Sequence, residues 1–168
     1  MSRAPAGRPR DYGADLRRPV LLETGRFTSG ACANRPCEAI TYTVPTRALV
    51  VDDYDDAREM YSEFLAFKGF EVVQAQNGLQ ALALAESLLP DLIVLDLALP
   101  DIDGIEVTRR LKLSPVTAGI PIVMLTANAQ SRMLDEARKA GCAAVLVKPC
   151  TPEELLEVAL GLGRVRTG

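Results

Sequence analysis

Five side chains in this sequence combine reactive chemistry with a telling position. Asp52 and Asp53 end the apolar run "ALVVDD", Asp96 ends "LIVLD", Thr126 ends "IPIVMLT" and Lys148 ends "AAVLVK". If those segments lie side by side, three carboxylates, a hydroxyl and an ammonium converge at one edge. Two carboxylates about 5 Å apart repel by roughly 3 kcal/mol at an effective dielectric near 20. Three of them stay ionised together only around a cation. Oxygen-only donors in a shallow acidic pocket favour a hard ion that keeps some of its waters, Mg2+. Such a cluster suits phosphoryl chemistry. Asp96 is the expected nucleophile, Mg2+ and Lys148 neutralise the phosphoryl oxygens, and Thr126 hydrogen-bonds one of them. Carboxylate attack on phosphorus gives an acyl phosphate, a labile bond suited to a reversible mark.

The elements that must position these groups are legible from periodicity. "RALVVD" (47–52) is continuous and β-branched, as a strand covered on both faces should be. Residues 55–68 place Ala57, Met60, Tyr61, Phe64 and Leu65 at helical spacing, and Gly69 sits where a helix-ending glycine belongs. "FEVVQA" (70–75) is a second strand, ending in Ala75, which offers no chemistry. Asn77 caps a helix through "GLQALALAESL", which Pro90 closes. "DLIVLD" (91–96) is the third strand and "DGIEVTRRLK" (103–112) the third helix. Strands at 120–126 and 143–148 flank a helix at 129–140 that ends at Gly141. Thr151, Pro152 and Glu154 spell a capping box for a last helix through "ELLEVALGL". Five strand-then-helix repeats predict an α/β fold, a parallel sheet with helices on both faces. Ligands of such sheets bind beyond the carboxyl ends of the strands.

Four carboxylates fall in positions 52–56. Asp55 and Asp56 are expected to start the first helix, capping its N–H groups and favouring its dipole. Asp101 and Asp103, in "LPDIDG", read as turn and cap residues, and Gly104 as serving a tight helix start.

Charge divides the chain. Residues 1–44 hold seven Arg and four acids, net +3, whereas residues 45–168 hold 12 basic and 18 acidic residues, net −6. An acidic core domain disfavours direct nucleic-acid binding. No stretch approaches the ~18 apolar residues of a membrane helix, and no apolar signal region opens the chain, so a cytoplasmic location is expected. Residues 1–44 lack periodicity and read as a disordered or loosely ordered extension. A flexible extension, a start codon placed too far upstream and a basic docking arm all fit that composition. The four Cys show no CxxC spacing and His is absent. A structural metal is therefore not expected, and Cys142 and Cys150 read as small buried hydrophobes, with Cys32 and Cys37 in the extension.

The ordered set "LVVDD", "LIVLDLALPDIDG", "VMLTA" and "VLVKP" resembles the receiver domain of two-component response regulators over about residues 46–163. The resemblance implies a doubly wound, flavodoxin-like (βα)5 fold with strand order 2-1-3-4-5. It implies Asp52 and Asp53 as metal-side acids, Asp96 as phosphoacceptor, Thr126 as switch hydroxyl and Lys148 as the phosphate-pairing lysine. The backbone carbonyl of Ala98 would be a further Mg2+ ligand, and the Lys148–Pro149 bond would be cis. The implied partners are a sensor histidine kinase or a histidine phosphotransfer protein, with a second copy of the chain as a further candidate.

One departure stands out. The family often carries an aromatic ring three residues before the lysine, and this chain has Val145. A valine cannot report the switch by ring motion. After the last helix only a short tail at 164–168 remains, so the expected output is protein binding through the face of residues 129–160, without turnover. Two other readings compete. One is a haloacid-dehalogenase-type phosphatase, which would want a second Asp where Ala98 stands. The other is a docking module that ignores phosphorylation.

Overall fold

Runs of Leu, Ile and Val can form interior strands because both faces of a parallel sheet are covered by helices. The computed structural model describes residues 46–162 and realises that alternation. In chain order it runs β1 (Arg47–Val51), α1 (Asp55–Phe67), β2 (Glu71–Ala75), α2 (Gly78–Leu88), β3 (Leu92–Asp96), α3 (Gly104–Leu113), β4 (Ile122–Thr126), α4 (Ser131–Ala140), β5 (Ala144–Val147) and α5 (Pro152–Gly161). The expectations for residues 1–44, for Cys32 and Cys37, and for the tail at 164–168 lie outside the described residues.

All four strand pairings are parallel, in the order β2-β1-β3-β4-β5. Every residue of β3 and β4 is buried, whereas β2 and β5 at the sheet edges are partly exposed. Alternate strand residues feed two cores. Leu49, Val51, Ile93, Leu95, Ile122 and Met124 pack with α2, α3 and α4. Ala48, Val50, Leu92, Val94, Val123 and Leu125 pack with Tyr61 and Leu65 of α1 and with Leu155 and Ala159 of α5.

Helix ends follow the cap residues. Asn77 and Asp103 accept from the third residues of α2 and α3, and Thr151 with Glu154 forms the full capping box of α5. Gly69 adopts φ 91 just beyond α1, a conformation that leaves a Cβ crowded. Leu89 closes α2 at φ 46, a left-handed role for which its side chain gives no sequence signal.

Three expectations need correction. Asp55 and Asp56 lie in the first turn of α1 but do not cap it; Tyr54 is the cap residue and makes no side-chain cap bond. The buried stripe of α1 is Arg58, Tyr61, Ser62 and Leu65, while Met60 is 44% exposed. The helix is thus turned from the all-apolar stripe, because Arg58 finds polar partners at the strand ends. Cys150 is buried as expected, but Cys142 is only half-buried, its Sγ donating to the Ala137 carbonyl at 2.9 Å.

Candidate functional site

Strand register brings the reactive groups together. Val51 pairs with Leu95, so Asp52 continues β1 beside Asp96 at the end of β3. Asp96 pairs with Leu125, placing Thr126 one step further on β4, and Thr126 pairs with Val147, which precedes Lys148. The Lys148 amide donates to the Thr126 carbonyl at 2.7 Å, extending β5 by one rung. Four of the five predicted side chains thereby stand at adjacent strand ends.

Lys148 is the hub. Its Nζ lies 2.7 Å from Asp52 Oδ2 and 2.6 Å from Asp96 Oδ1. Each carboxylate anchors its second oxygen on its own loop. Asp52 Oδ1 accepts from the Tyr54 amide at 2.9 Å, and Asp96 Oδ2 from the Ala98 amide at 2.8 Å. Both acids are buried, whereas Asp53 and Ala98 are exposed at the rim. Burial raises the Asp96 carboxyl above its ordinary range; the Lys148 bond and charge oppose this, and the Asp52 charge adds to it. For Lys148, burial would lower the ammonium, but bonds and charges from both acids more than offset it and the net shift is upward. Asp96 moves up because its burial outweighs the help of the ammonium, and Lys148 moves up because two carboxylates outweigh its own burial.

Thr126 is buried, and its hydroxyl is engaged by its own loop. Oγ1 accepts from the Asn128 amide at 3.0 Å. Its partners are on the β4–α4 loop rather than Asp96 or Lys148. Val145, opposite Met124 on β5, is half-buried against the second-to-fourth helix side of the sheet.

Among the described residues, no three acidic, His or Cys side chains form a ready-made metal cage. The donor chemistry nevertheless fits a divalent cation. Asp52, Asp53 and Asp96 carry three negative charges against one on Lys148, and all the donors are oxygens. That leaves an open, incomplete set suited to a hydrated hard ion.

Sequence reasoning missed the roles of Arg58 and Tyr61, and read Asp101 as a turn and cap residue without showing which helix it caps. Arg58 is buried and donates to the Asp52 carbonyl at 2.8 Å and to Gln74 Oε1 at 3.2 Å, and pairs with Asp55. Its signal was helical spacing with Tyr61 and Leu65, overlooked because the residue is charged. Tyr61 donates its hydroxyl to the Cys150 carbonyl at 3.0 Å, 89 residues away, a link with no sequence trace. Asp101 reaches back to the start of α2, accepting from the amides of Gly78 and Leu79 at 2.8 Å each. Asp103 and Gly104 serve α3 as expected, and the reason for Gly104 is close approach. A Cβ there would sit 2.5 Å from the Asp96 carbonyl oxygen. The Lys148–Pro149 bond is cis.

Comparison with known proteins places these features in context. The family model for the response regulator receiver domain matches residues 48–160. The chain is 32% identical over 114 residues to the polar-differentiation response regulator DivK of Brucella anthropi, covering 68% of this chain and 93% of DivK. It is 41% identical over 108 residues to the phosphate regulon regulator PhoB of Pseudomonas aeruginosa, covering 64% of this chain but 47% of PhoB. The chain thus spans about half the length of that larger relative. The chemotaxis protein CheY4 of Vibrio cholerae superposes with a TM-score of 0.66 at 33% identity, covering 73% of this chain and all of CheY4.

Proposed function

The chain belongs to the response regulator receiver family, and on that footing we propose that Asp96 accepts a phosphoryl group from a phosphohistidine. The donor would be a sensor histidine kinase or a histidine phosphotransfer protein. An Asp96 oxygen attacks phosphorus as the P–N bond to the donor imidazole breaks. The imidazole leaves with that electron pair and takes up a proton. Lys148, already on Asp96, neutralises a phosphoryl oxygen, and the Thr126 hydroxyl donates to another once it leaves Asn128. Asp52, Asp53, Asp96 and the Ala98 carbonyl are the groups that would hold Mg2+. When bound, it supplies charge neutralisation on the phosphoryl oxygens.

The observation that carries this reading is the Lys148 bridge between two buried carboxylates at the carboxyl ends of the strands. The phosphorylated conformer would signal by binding a protein through the face of residues 129–160, without contacting DNA. A phosphatase reading lacks its general acid, since Ala98 holds that place.

Intact-mass spectrometry of the full chain with acetyl phosphate and Mg2+ tests the proposal. The expected result is a labile gain of one phosphoryl group (about 80 Da) that Asp96→Asn and removal of Mg2+ abolish. The proposal fails if a phosphohistidine donor and acetyl phosphate both leave the mass unchanged, or if Asp96→Asn still gains the group.

A further inference from the structure

One helix touches both loops of the pocket, and it does so through backbone rather than through the reactive side chains. Arg58 and Tyr61 lie three residues apart on the inner face of α1 and are 7% and 2% exposed. The Arg58 guanidinium donates to the carbonyl of Asp52, on the β1–α1 loop, at 2.8 Å. The Tyr61 hydroxyl donates to the carbonyl of Cys150, two residues past Lys148, at 3.0 Å, and lies 3.1 Å from Cys150 Sγ. The guanidinium also reaches Gln74 of β2 and Asp55, so three of its directions are fixed. A buried arginine and a buried phenol are costly to desolvate unless their bonds are made, which makes each link hold a specific geometry.

We propose that α1 is a positioning clamp for the pocket: Arg58 fixes the Asp52 loop and Tyr61 fixes the Lys148 loop. Together they set the spacing between the carboxylate that follows β1 and the ammonium that follows β5. Arg58 and Tyr61 are positioning residues, since neither touches the reacting oxygens. The proposal rests on the phosphoacceptor reading for its chemical consequences, and its two arms act on different partners. Arg58 governs the acids of the cation side. Tyr61 governs how well Lys148 meets the incoming phosphoryl group.

The test uses the full chain with Arg58→Lys, which keeps the charge and loses the fork, and Tyr61→Phe, which removes only a hydroxyl. Calorimetric titration of the unphosphorylated chain should show Mg2+ binding about tenfold weaker in Arg58→Lys, the usual size of an outer-shell defect. Tyr61→Phe should leave that affinity within about twofold. It should raise the acetyl phosphate concentration for half-maximal phosphorylation about three- to tenfold, as loss of one buried hydrogen bond does. Hydrogen exchange should quicken at the Tyr54 amide in Arg58→Lys and at the Lys148 amide in Tyr61→Phe. A purely structural role would lower the urea midpoint and move neither binding constant, and that result overturns the clamp. Should Arg58→Lys fail to fold, Gln74→Ala replaces it, loosening the same guanidinium without changing charge. An unchanged Mg2+ affinity there overturns the Arg58 arm. If the wild-type chain neither binds Mg2+ nor gains a phosphoryl group, the phosphoacceptor reading is what fails. The clamp then stands or falls on the two amide exchange rates.

Discussion

Lys148→Met exposes what the ammonium does for the fold. The substitution keeps the length of the side chain and deletes the contacts at 2.7 Å to Asp52 and 2.6 Å to Asp96. Because both oxygens touch one nitrogen, they lie within about 5 Å of each other, where two ionised carboxylates repel by about 3 kcal/mol at an effective dielectric near 20. Removing one partner of a buried ion pair costs about 3–5 kcal/mol. Lys148 is 25% exposed, so water screens part of the loss, and about 2–4 kcal/mol is expected at pH 8. The chain has one escape, a proton retained on Asp96, whose carboxyl burial has already shifted upward. A carboxyl with a raised folded-state pKa contributes stability that is fully present below its unfolded value of 3.8 and is lost as pH rises through the folded value. Deleting the ammonium raises that folded value further, so the deficit of Lys148→Met should be small near pH 4 and grow toward pH 8. Urea unfolding at a series of pH values, in chelator, measures it. A deficit under about 1 kcal/mol at pH 8, or one that does not change with pH, would refute the electrostatic account.

Other substitutions test particular contacts. Gly104→Ala puts a Cβ 2.5 Å from the Asp96 carbonyl oxygen and 3.0 Å from Leu97 Cα, so it should lose about 2–3 kcal/mol in urea unfolding and shift the amide signals around Asp96. Asp101→Ala removes two bonds to the start of α2 and should cost about 0.5–1 kcal/mol, a figure kept low because the side chain is exposed. Burial would raise the Asp101 carboxyl, but amide bonds from Leu79, Ile102 and Gly78 bring it below its ordinary value. Its contribution should therefore be present above pH 3.8 and disappear as pH falls through the lower folded value, so wild type and variant converge in acid. Ser62 Oγ is buried in α1 without a hydrogen-bond partner, and Ser62→Ala should leave the urea midpoint unchanged or raise it, by up to about 1 kcal/mol of stability.

The strands were readable because each is a short run rich in apolar residues, four of them closed by a polar one, and parallel pairing puts those closures at one edge. The same logic marks Asp52, Asp96, Thr126 and Lys148 from the sequence alone. Caps were readable where the cap lies next to its helix, as at Asn77, Asp103 and Thr151. What stayed hidden depends on contacts that cross the chain. Asp101 caps a helix that begins 23 residues earlier, and Tyr61 meets Cys150 89 residues later, so no local pattern marks either. Arg58 hid for a different reason. Hydrophobic periodicity assigns charge to solvent, and a buried guanidinium with three polar partners breaks that rule.

The distribution of caps says where a phosphoryl group on Asp96 would be felt. Helices α2, α3 and α5 each have a side-chain cap, and α1, which has none, is held by Arg58 and Tyr61. The start of α4 has neither device. Its cap residue Gln130 makes no side-chain cap bond, residues 127–131 are exposed, and the helix buries only Ala137 and Ala140. On the proposed reading, a modified Asp96 carries about −2 charge in place of the carboxylate's single charge, and the Thr126 hydroxyl must leave the Asn128 amide to reach it. Asn128 also holds the Gln130 amide through its side chain at 2.9 Å, so freeing one bond loosens the next. The bonds given up are part-buried at Thr126 and exposed at Gln130, and the helix they start is thinly packed, so the cost of moving it is low. The phosphoryl group then needs only modest differential contacts to shift the population toward a second arrangement of α4. Val145 lines the half-buried side of β5 beneath that helix, where a valine can follow the shift without a ring changing places.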